Sequence, residues 1–209
     1  MPDLLHISAS PRGADSESLR LARTFLDTYR EIHPDAGIEE WDLWDGTLPE
    51  FGPAAARAKM TIFGGGTPSG AEAEAWRAAS AVFERWNAAD RVLFSVPMWN
   101  SGVPYILKQF IDLVSQPGMV FGVDPVTGYD GLLAGKGKRA AVIYTSAVWG
   151  PGLGPEFGSD FQSAFFSGWL NWTGIDDVTE VHFHPTLTGD VAKVHRTSDE
   201  CARVAAKNF

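Results

Sequence analysis

The stretch Val92-Leu93-Phe94-Ser95-Val96-Pro97-Met98-Trp99-Asn100-Ser101-Gly102-Val103-Pro104 decides how this chain reads. Its first five residues are an apolar run that a proline ends, which is a strand pattern. Residues 105–114 follow with Tyr105, Ile106, Leu107, Phe110, Ile111, Leu113 and Val114, apolar around much of a helical girth. Residues 97–104 are therefore a strand-to-helix loop. Pro97 stops the strand's hydrogen-bond ladder. Pro104 suits a first helical turn, where its missing N–H is not needed. Asn100 and Ser101 are candidates to cap that helix. In open α/β sheets such loops gather at the carboxyl ends of the strands, where ligands sit. Trp99 beside Asn100 suits a flat heterocycle. A capped loop with a packed tryptophan fits the same residues.

Upstream, residues 3–8 (DLLHIS) form a short apolar first strand, in which His6 reads as a packed or edge histidine. The next run, Ser8-Ala9-Ser10-Pro11-Arg12-Gly13-Ala14-Asp15-Ser16-Glu17-Ser18, is rich in hydroxyls and turn formers. Residues 19–32 then carry apolar side chains at a helical period. Ser10, Ser16 and Ser18 thus cluster at a helix N-terminus, where free N–H groups and a partial positive charge bind phosphate. A simple N-cap at Ser16 or Ser18 is the competing reading. For phosphate to bind, the side chains of Asp15 and Glu17 must point away. The loop is neither a P-loop nor a G-x-G-x-x-G fingerprint, which argues against a triphosphate and a Rossmann dinucleotide domain.

Residues 38–43 alternate as a second strand, and residues 54–63 form a short helix. Gly64-Gly65-Gly66-Thr67-Pro68 reads as a linker. Residues 71–89 form an amphipathic helix with Trp76, Ala79, Val82, Phe83 and Trp86 on one face. Beyond the opening loop, residues 119–122 are a short extended piece and residues 124–131 a turn-rich loop. Residues 138–145 are a fourth strand, followed by a Gly/Pro loop at 146–155, too long to read as a mere connector. Residues 161–172 are helical, 178–183 a fifth strand, and 188–190 the start of a last helix that runs to about 207.

The chain has 209 residues, 44% of them hydrophobic, and a net charge of −9. That balance argues against nucleic acid or an anionic membrane as partner, since both call for clustered Lys and Arg. The single cysteine, Cys201, forms no internal disulfide. No leader or membrane-spanning run is visible, so a cytoplasmic setting is expected. Of eight tryptophans, Trp99, Trp149, Trp169 and Trp172 fall in the half expected to carry the site. Either an aromatic ligand or subunit contact, or an aromatic core, accounts for them.

Strands alternating with helices predict an α/β protein. Residues 1–209 read as one domain, a three-layer sandwich with helices on both faces of a five-stranded parallel sheet. In the order 2-1-3-4-5, the loops at 10–18, 97–101 and 145–150 meet at the switch point.

At these residues the chain resembles the FMN-dependent NADH:quinone oxidoreductases and NADH-azoreductases of the flavodoxin-like superfamily. The resemblance rests on Ser10…Ser16-Glu17-Ser18, Pro97-Met98-Trp99-Asn100, Pro104…Leu107-Lys108…Ile111-Asp112, Gly118-Met119-Val120-Phe121, Gly131-Leu132-Leu133…Gly135-Lys136 and Val142-Ile143-Tyr144-Thr145-Ser146. It covers nearly the whole chain. It implies a flavodoxin-like fold and FMN as cofactor. The phosphate falls to Ser10, Ser16, Glu17 through its backbone, and Ser18. The ring falls to Pro97, Met98, Trp99, Asn100, Ser101, Ser146, Ala147, Val148 and Trp149. Phe121 and Trp149 are the candidates for the substrate pocket.

The resemblance further implies NADH, or NADPH, as electron donor and a quinone or azo compound as acceptor. The two would exchange at one site in a ping-pong cycle. No catalytic side chain is named, because the cofactor carries the chemistry. A homodimer is implied, with helix 105–114 as the expected contact. Two departures bear on the substrate. Ser101 stands where the family often has an aromatic residue, and Ser146-Ala147-Val148-Trp149 replaces a Ser-Arg-Gly-Gly-like run. A flavodoxin-type electron carrier and a pathway-specific flavin reductase are the alternatives.

Overall fold

The computed structural model describes residues 2–209. The sheet has five parallel strands: β1 (Leu4–Ser8), β2 (Ile38–Asp42), β3 (Arg91–Pro97), β6 (Arg139–Thr145) and β7 (Asp177–Phe183). Their spatial order is β2-β1-β3-β6-β7. This is the predicted 2-1-3-4-5, because β4 (Phe121–Asp124) and β5 (Gly128–Gly131) lie outside the sheet as an antiparallel hairpin. Most of that hairpin lies in residues 124–131, expected as a loop. Residues 124–131 lack the apolar alternation of a half-buried strand, and Tyr129 is the one large apolar side chain in β5.

The central strands are apolar throughout because both sides are covered. Leu5, Ile7, Val92, Phe94, Ala140 and Val142 face α3 (Gly70–Asn87), α4 (Tyr105–Val114) and α5 (Ser163–Thr173). Leu4, Leu93, Ala141 and Ile143 face α1 (Glu17–Ile32) and α6 (Val191–Lys207). α2 (Pro53–Phe63) has proline in its first turn and buries Ala55 and Ala58. On the α3/α4/α5 side Trp86 stacks on Trp169 at 5.5 Å between centroids and meets Phe110 edge-on. Trp169 is thus a core residue. Trp172 packs on Phe121 of the hairpin. Neither reaches the sheet edge where a ligand was expected. His6 is buried as predicted, with Nε2 at 2.8 Å from the Ser95 hydroxyl.

The apolar girth of α4 is used within the chain. Ile106, Leu107, Phe110, Ile111, Leu113 and Val114 are all buried, and only Tyr105 of its apolar residues is exposed. This corrects the expectation that α4 offers a free apolar face to a second subunit. Among the described residues no helix is long and apolar enough to cross a membrane.

Candidate functional site

A cavity of about 300 Å³ opens at the carboxyl ends of β1, β3 and β6. Ser10, Arg12, Ser16, Glu17, Pro97, Met98, Trp99, Asn100, Thr145, Ser146, Ala147 and Thr186 line it. The three loops predicted to meet do so.

On the first side lies the N-terminus of α1. Ser16 is its N-cap, the hydroxyl accepting from the Leu19 N–H at 3.3 Å. The N–H groups of Glu17 and Ser18 begin the helix and have no acceptor within it. Ser10 is buried, and its hydroxyl accepts from the Arg12 N–H. The Glu17 carboxylate turns onto Arg20 at 2.7 Å and lies 3.6 Å from His195. So the side chain that would repel an anion is neutralised on the outer face, while its N–H remains available. Ser18 is fully buried beneath Ser16, at 3.1 Å from that hydroxyl, and does not open into the cavity. It supports Ser16; any contact with a ligand would pass through its N–H.

On the second side the chain makes a turn that sequence reasoning missed. Trp99 and Gly102 exchange two backbone hydrogen bonds, 2.9 and 3.0 Å. Between them Asn100 and Ser101 have φ of 51° and 65°. This is a two-residue hairpin of the type that needs positive φ at both central residues. Neither residue caps α4, which corrects the capping expectation. Pro104 is the N-cap and makes no side-chain bond. Asn is a favoured residue in that left-handed conformation; Ser is not, so Ser101 holds local strain of about 1 kcal/mol or more. The Ser101 carbonyl accepts from the Phe161 N–H, anchoring the hairpin to the loop before α5. Trp99 stands at the cavity, 45% exposed. Ser101 lies behind it and does not line the cavity.

On the third side, Ser146 and Ala147 line the cavity, and Val148 and Trp149 do not. Trp149 turns away and packs edge-on against His184 at 5.0 Å. The return after β7 runs alongside, with the Thr186 N–H donating to the Ser146 carbonyl at 2.8 Å. Thr145, which opens the predicted 145–150 loop, lines the cavity, and Thr186 was missed. No signal in residues 184–187 marks Thr186, because only the pairing of β7 with β6 brings that segment here. Phe121 lies elsewhere, buried against Phe63, Tyr129 and Trp172. It is not in this cavity, since the hairpin carries it to the end of α5.

His184 is the strongly shifted group beside the site. Burial, with the neighbouring His182 charge adding to it, pushes its pKa down to about 4 from 6.5. The unfolded chain therefore binds this proton more readily than the folded one. Stability is complete above about pH 6.5 and falls as the pH drops toward 4. His184→Gln should flatten that decline, as read from thermal midpoints between pH 4 and 7.

The donor set suits a phosphate at one end and a flat ring at the other. Helix N–H groups, hydroxyls and Arg12 lie together at one end, a donor set that an anion could meet. Trp99 and Met98 offer apolar surface, and Asn100 an amide. Strand order and cavity position together define the class, a flavodoxin-like α/β protein with a cavity at the switch point of its sheet. The family model for the flavodoxin-like fold matches residues 2–207. The FMN-dependent NADH:quinone oxidoreductase of Ruegeria pomeroyi is 45% identical over 190 residues, covering 91% of this chain and 92% of the relative. The enzyme of the same name from Desulfotalea psychrophila is 38% identical over 195 residues, 92% and 90% of the two chains. The crystal structure of an azoreductase from Bacillus anthracis superposes with a TM-score of 0.88 at 24% identity, covering all of both chains. The chain belongs to the family of FMN-dependent NADH:quinone oxidoreductases.

Proposed function

We propose that this chain is an FMN-dependent NAD(P)H oxidoreductase that passes two electrons from a nicotinamide to quinones or aromatic azo compounds. Donor and acceptor take turns in one cavity. The observation that carries the reading is the meeting, at one sheet edge, of an anion cradle on α1 and an exposed tryptophan on the 97–102 hairpin. The 45% identity to a quinone oxidoreductase across 91% of the chain supports it.

Bound FMN supplies the two-electron chemistry. The chain supplies position and field. Ser10, Ser16, Arg12 and the N–H groups of Glu17 and Ser18 hold the phosphate. Pro97, Met98, Trp99 and Asn100 border the ring on one side, and Ser146 and Ala147 on the other. Trp149 acts behind the cavity, by packing on His184. The whole chain serves as one FMN-binding domain in a cytoplasmic setting. Trp99, Phe161 (66% exposed) and Leu187 (71% exposed) lie at or beside the cavity mouth, each in the chain or by hydrogen bond next to a lining or hairpin residue. A second copy covering this rim is the expected homodimer.

The test is anaerobic addition of NADH to protein loaded with FMN, then of a benzoquinone, with the mass measured by light scattering. Bleaching of the flavin colour by NADH, its return with quinone, and a mass of two chains are expected. Flavin that binds yet stays oxidised with both NADH and NADPH would replace this reading by an electron carrier.

A further inference from the structure

A chain of side chains leads from the cavity wall to the surface, and the mechanism above leaves it unused. Ser146 lines the cavity. Its hydroxyl is 3.1 Å from His184 Nδ1. His184 Nε2 is 2.9 Å from His182 Nδ1, and His182 Nε2 is 3.0 Å from Glu180 Oε2. Glu180 also accepts from the Ser167 hydroxyl, which is 2.9 Å from the Tyr144 hydroxyl. The Tyr144 ring stacks on His182 at 5.4 Å. Asp160, from the loop before α5, is the other charged group acting on His184. Ser198 of α6 bonds the His182 carbonyl, not its ring. The path begins buried at Ser146 and ends at His182 and Glu180, both in contact with solvent.

The directions of these bonds are set by donor counting. The Ser146 hydroxyl donates to the Trp149 carbonyl. Its oxygen therefore accepts from Nδ1–H of His184. His184 Nε2 is then an acceptor and takes Nδ1–H from His182. Glu180 is a carboxylate held below its usual range chiefly by the His182 hydrogen bond, so His182 donates to it from Nε2. His182 thus carries both protons and His184 one. A second arrangement with one proton fewer satisfies every bond but the one from Ser146 to the Trp149 carbonyl. In it Ser146 donates to His184 Nδ1, His184 donates from Nε2 to His182, and His182 donates to Glu180. His184 is neutral in both and only exchanges tautomers, which matches a ring whose burial disfavours charge.

Reduction of a quinone to a hydroquinone takes a hydride and one proton. The donor supplies the hydride; the proton has to come from the chain or from water. Resting on the function proposed above, we infer that Glu180, His182 and His184 form a proton relay ending at Ser146, which hands that proton to the acceptor. The Ser146 O–H bond breaks toward the acceptor oxygen. Ser146 takes the Nδ1 proton of His184, and His184 takes the Nδ1 proton of His182 at Nε2. The first arrangement becomes the second, with one proton delivered. Solvent at His182 restores it. His182, His184 and Glu180 are positioning residues that act through Ser146.

The test compares the wild type with His182→Gln, which breaks the path at its solvent end and leaves the cavity lining intact. Rates are measured with NADH and either benzoquinone or ferricyanide, an acceptor that needs electrons but no proton. In the variant the quinone-to-ferricyanide rate ratio should fall at least about tenfold, the low end of what positioned proton transfer contributes. In the wild type that ratio should fall as the pH rises and the relay runs short of protons; in the variant it should be flat. Independently of turnover, nitrogen-15 shifts of the histidines in wild-type protein should show His184 changing from the Nδ1–H to the Nε2–H tautomer as the pH is raised. An unchanged ratio with ferricyanide turnover intact, or a His184 tautomer constant across the titration, overturns the relay alone. No turnover with either acceptor overturns the functional reading beneath it.

Discussion

Replacing Ser16 with aspartate should abolish useful FMN binding while leaving the fold intact. The two roles of this residue separate cleanly under that change. As an N-cap, aspartate is as good as serine, so the first turn of α1 keeps its bond to Leu19 and the thermal midpoint of the FMN-free protein should hold or rise slightly. As part of an anion cradle, aspartate is adverse. It sets a full negative charge against the phosphate at the point where α1 presents its free N–H groups. Two unit charges about 4 Å apart interact by roughly 4 kcal/mol at an effective dielectric constant of about 20. Allowing for salt and for solvent at the cavity mouth, a loss of at least about 100-fold in affinity is expected, equivalent to about 2.7 kcal/mol. Quenching of flavin fluorescence on titration measures it. An affinity within about threefold of wild type would show that the phosphate lies elsewhere and that Ser16 is a cap and nothing more.

Gly174→Ala should produce the largest loss of stability from one added methyl group. Gly174 ends α5 in the left-handed conformation, φ 97°, where a Cβ is strained whatever the space around it. Here there is no space. An added Cβ would lie 2.4 Å from the Ala134 N and 2.8 Å from the Gly131 carbonyl oxygen, both backbone atoms unable to swing aside. Gly131 meets the same limit from the other side, its own added Cβ falling 2.7 Å from the Gly174 N. The hairpin and the helix end therefore touch backbone to backbone, tied by the Leu133 N–H donating to the Thr173 carbonyl at 3.0 Å. Strain of about 1–2 kcal/mol and overpacking of about 1–3 kcal/mol add to roughly 2–5 kcal/mol, read from the urea midpoint. FMN affinity should be nearly unchanged, because no cavity residue sits on this contact. A stability loss below about 1 kcal/mol would mean that the hairpin is only loosely docked.

These contacts mark the boundary between what was legible in the chain and what was not. The apolar runs at 92–96 and 139–145, the Ser-rich start of α1 and the helix after Pro104 carry periodicities of their own. Each is decided by neighbours a few residues away, and each appears where expected. The strand order 2-1-3-4-5 is that of the flavodoxin-like proteins the chain resembles, one of the few orders that right-handed crossovers leave open. The linear signal for a cap at Asn100 or Ser101 was misleading. Both are turn formers, and Pro104 already occupies the cap, so pairing of Trp99 with Gly102 took the two residues instead. Trp149 and Phe121 were pocket candidates as large aromatics in segments that carry the family resemblance. Direction decides otherwise. One packs onto His184, the other onto the end of α5. Thr186 had no sequence signature, and although Glu180, His182 and His184 alternate along β7 and its end, nothing in the chain marks Ser146 of the β6 loop as their partner.

By itself, then, the sequence determined the parallel sheet and, with the flavodoxin-like order its motifs resemble, the edge at which the three loops meet. Hydrophobic period, prolines and caps act locally, and their sum leaves few topologies open. Which side chains of those loops face the cavity was decided only by the tertiary structure. So were the closing of the 97–102 hairpin and the alignment of His182 and His184 behind Ser146. Those outcomes depend on contacts between residues far apart in the chain, whose directions no local pattern carries.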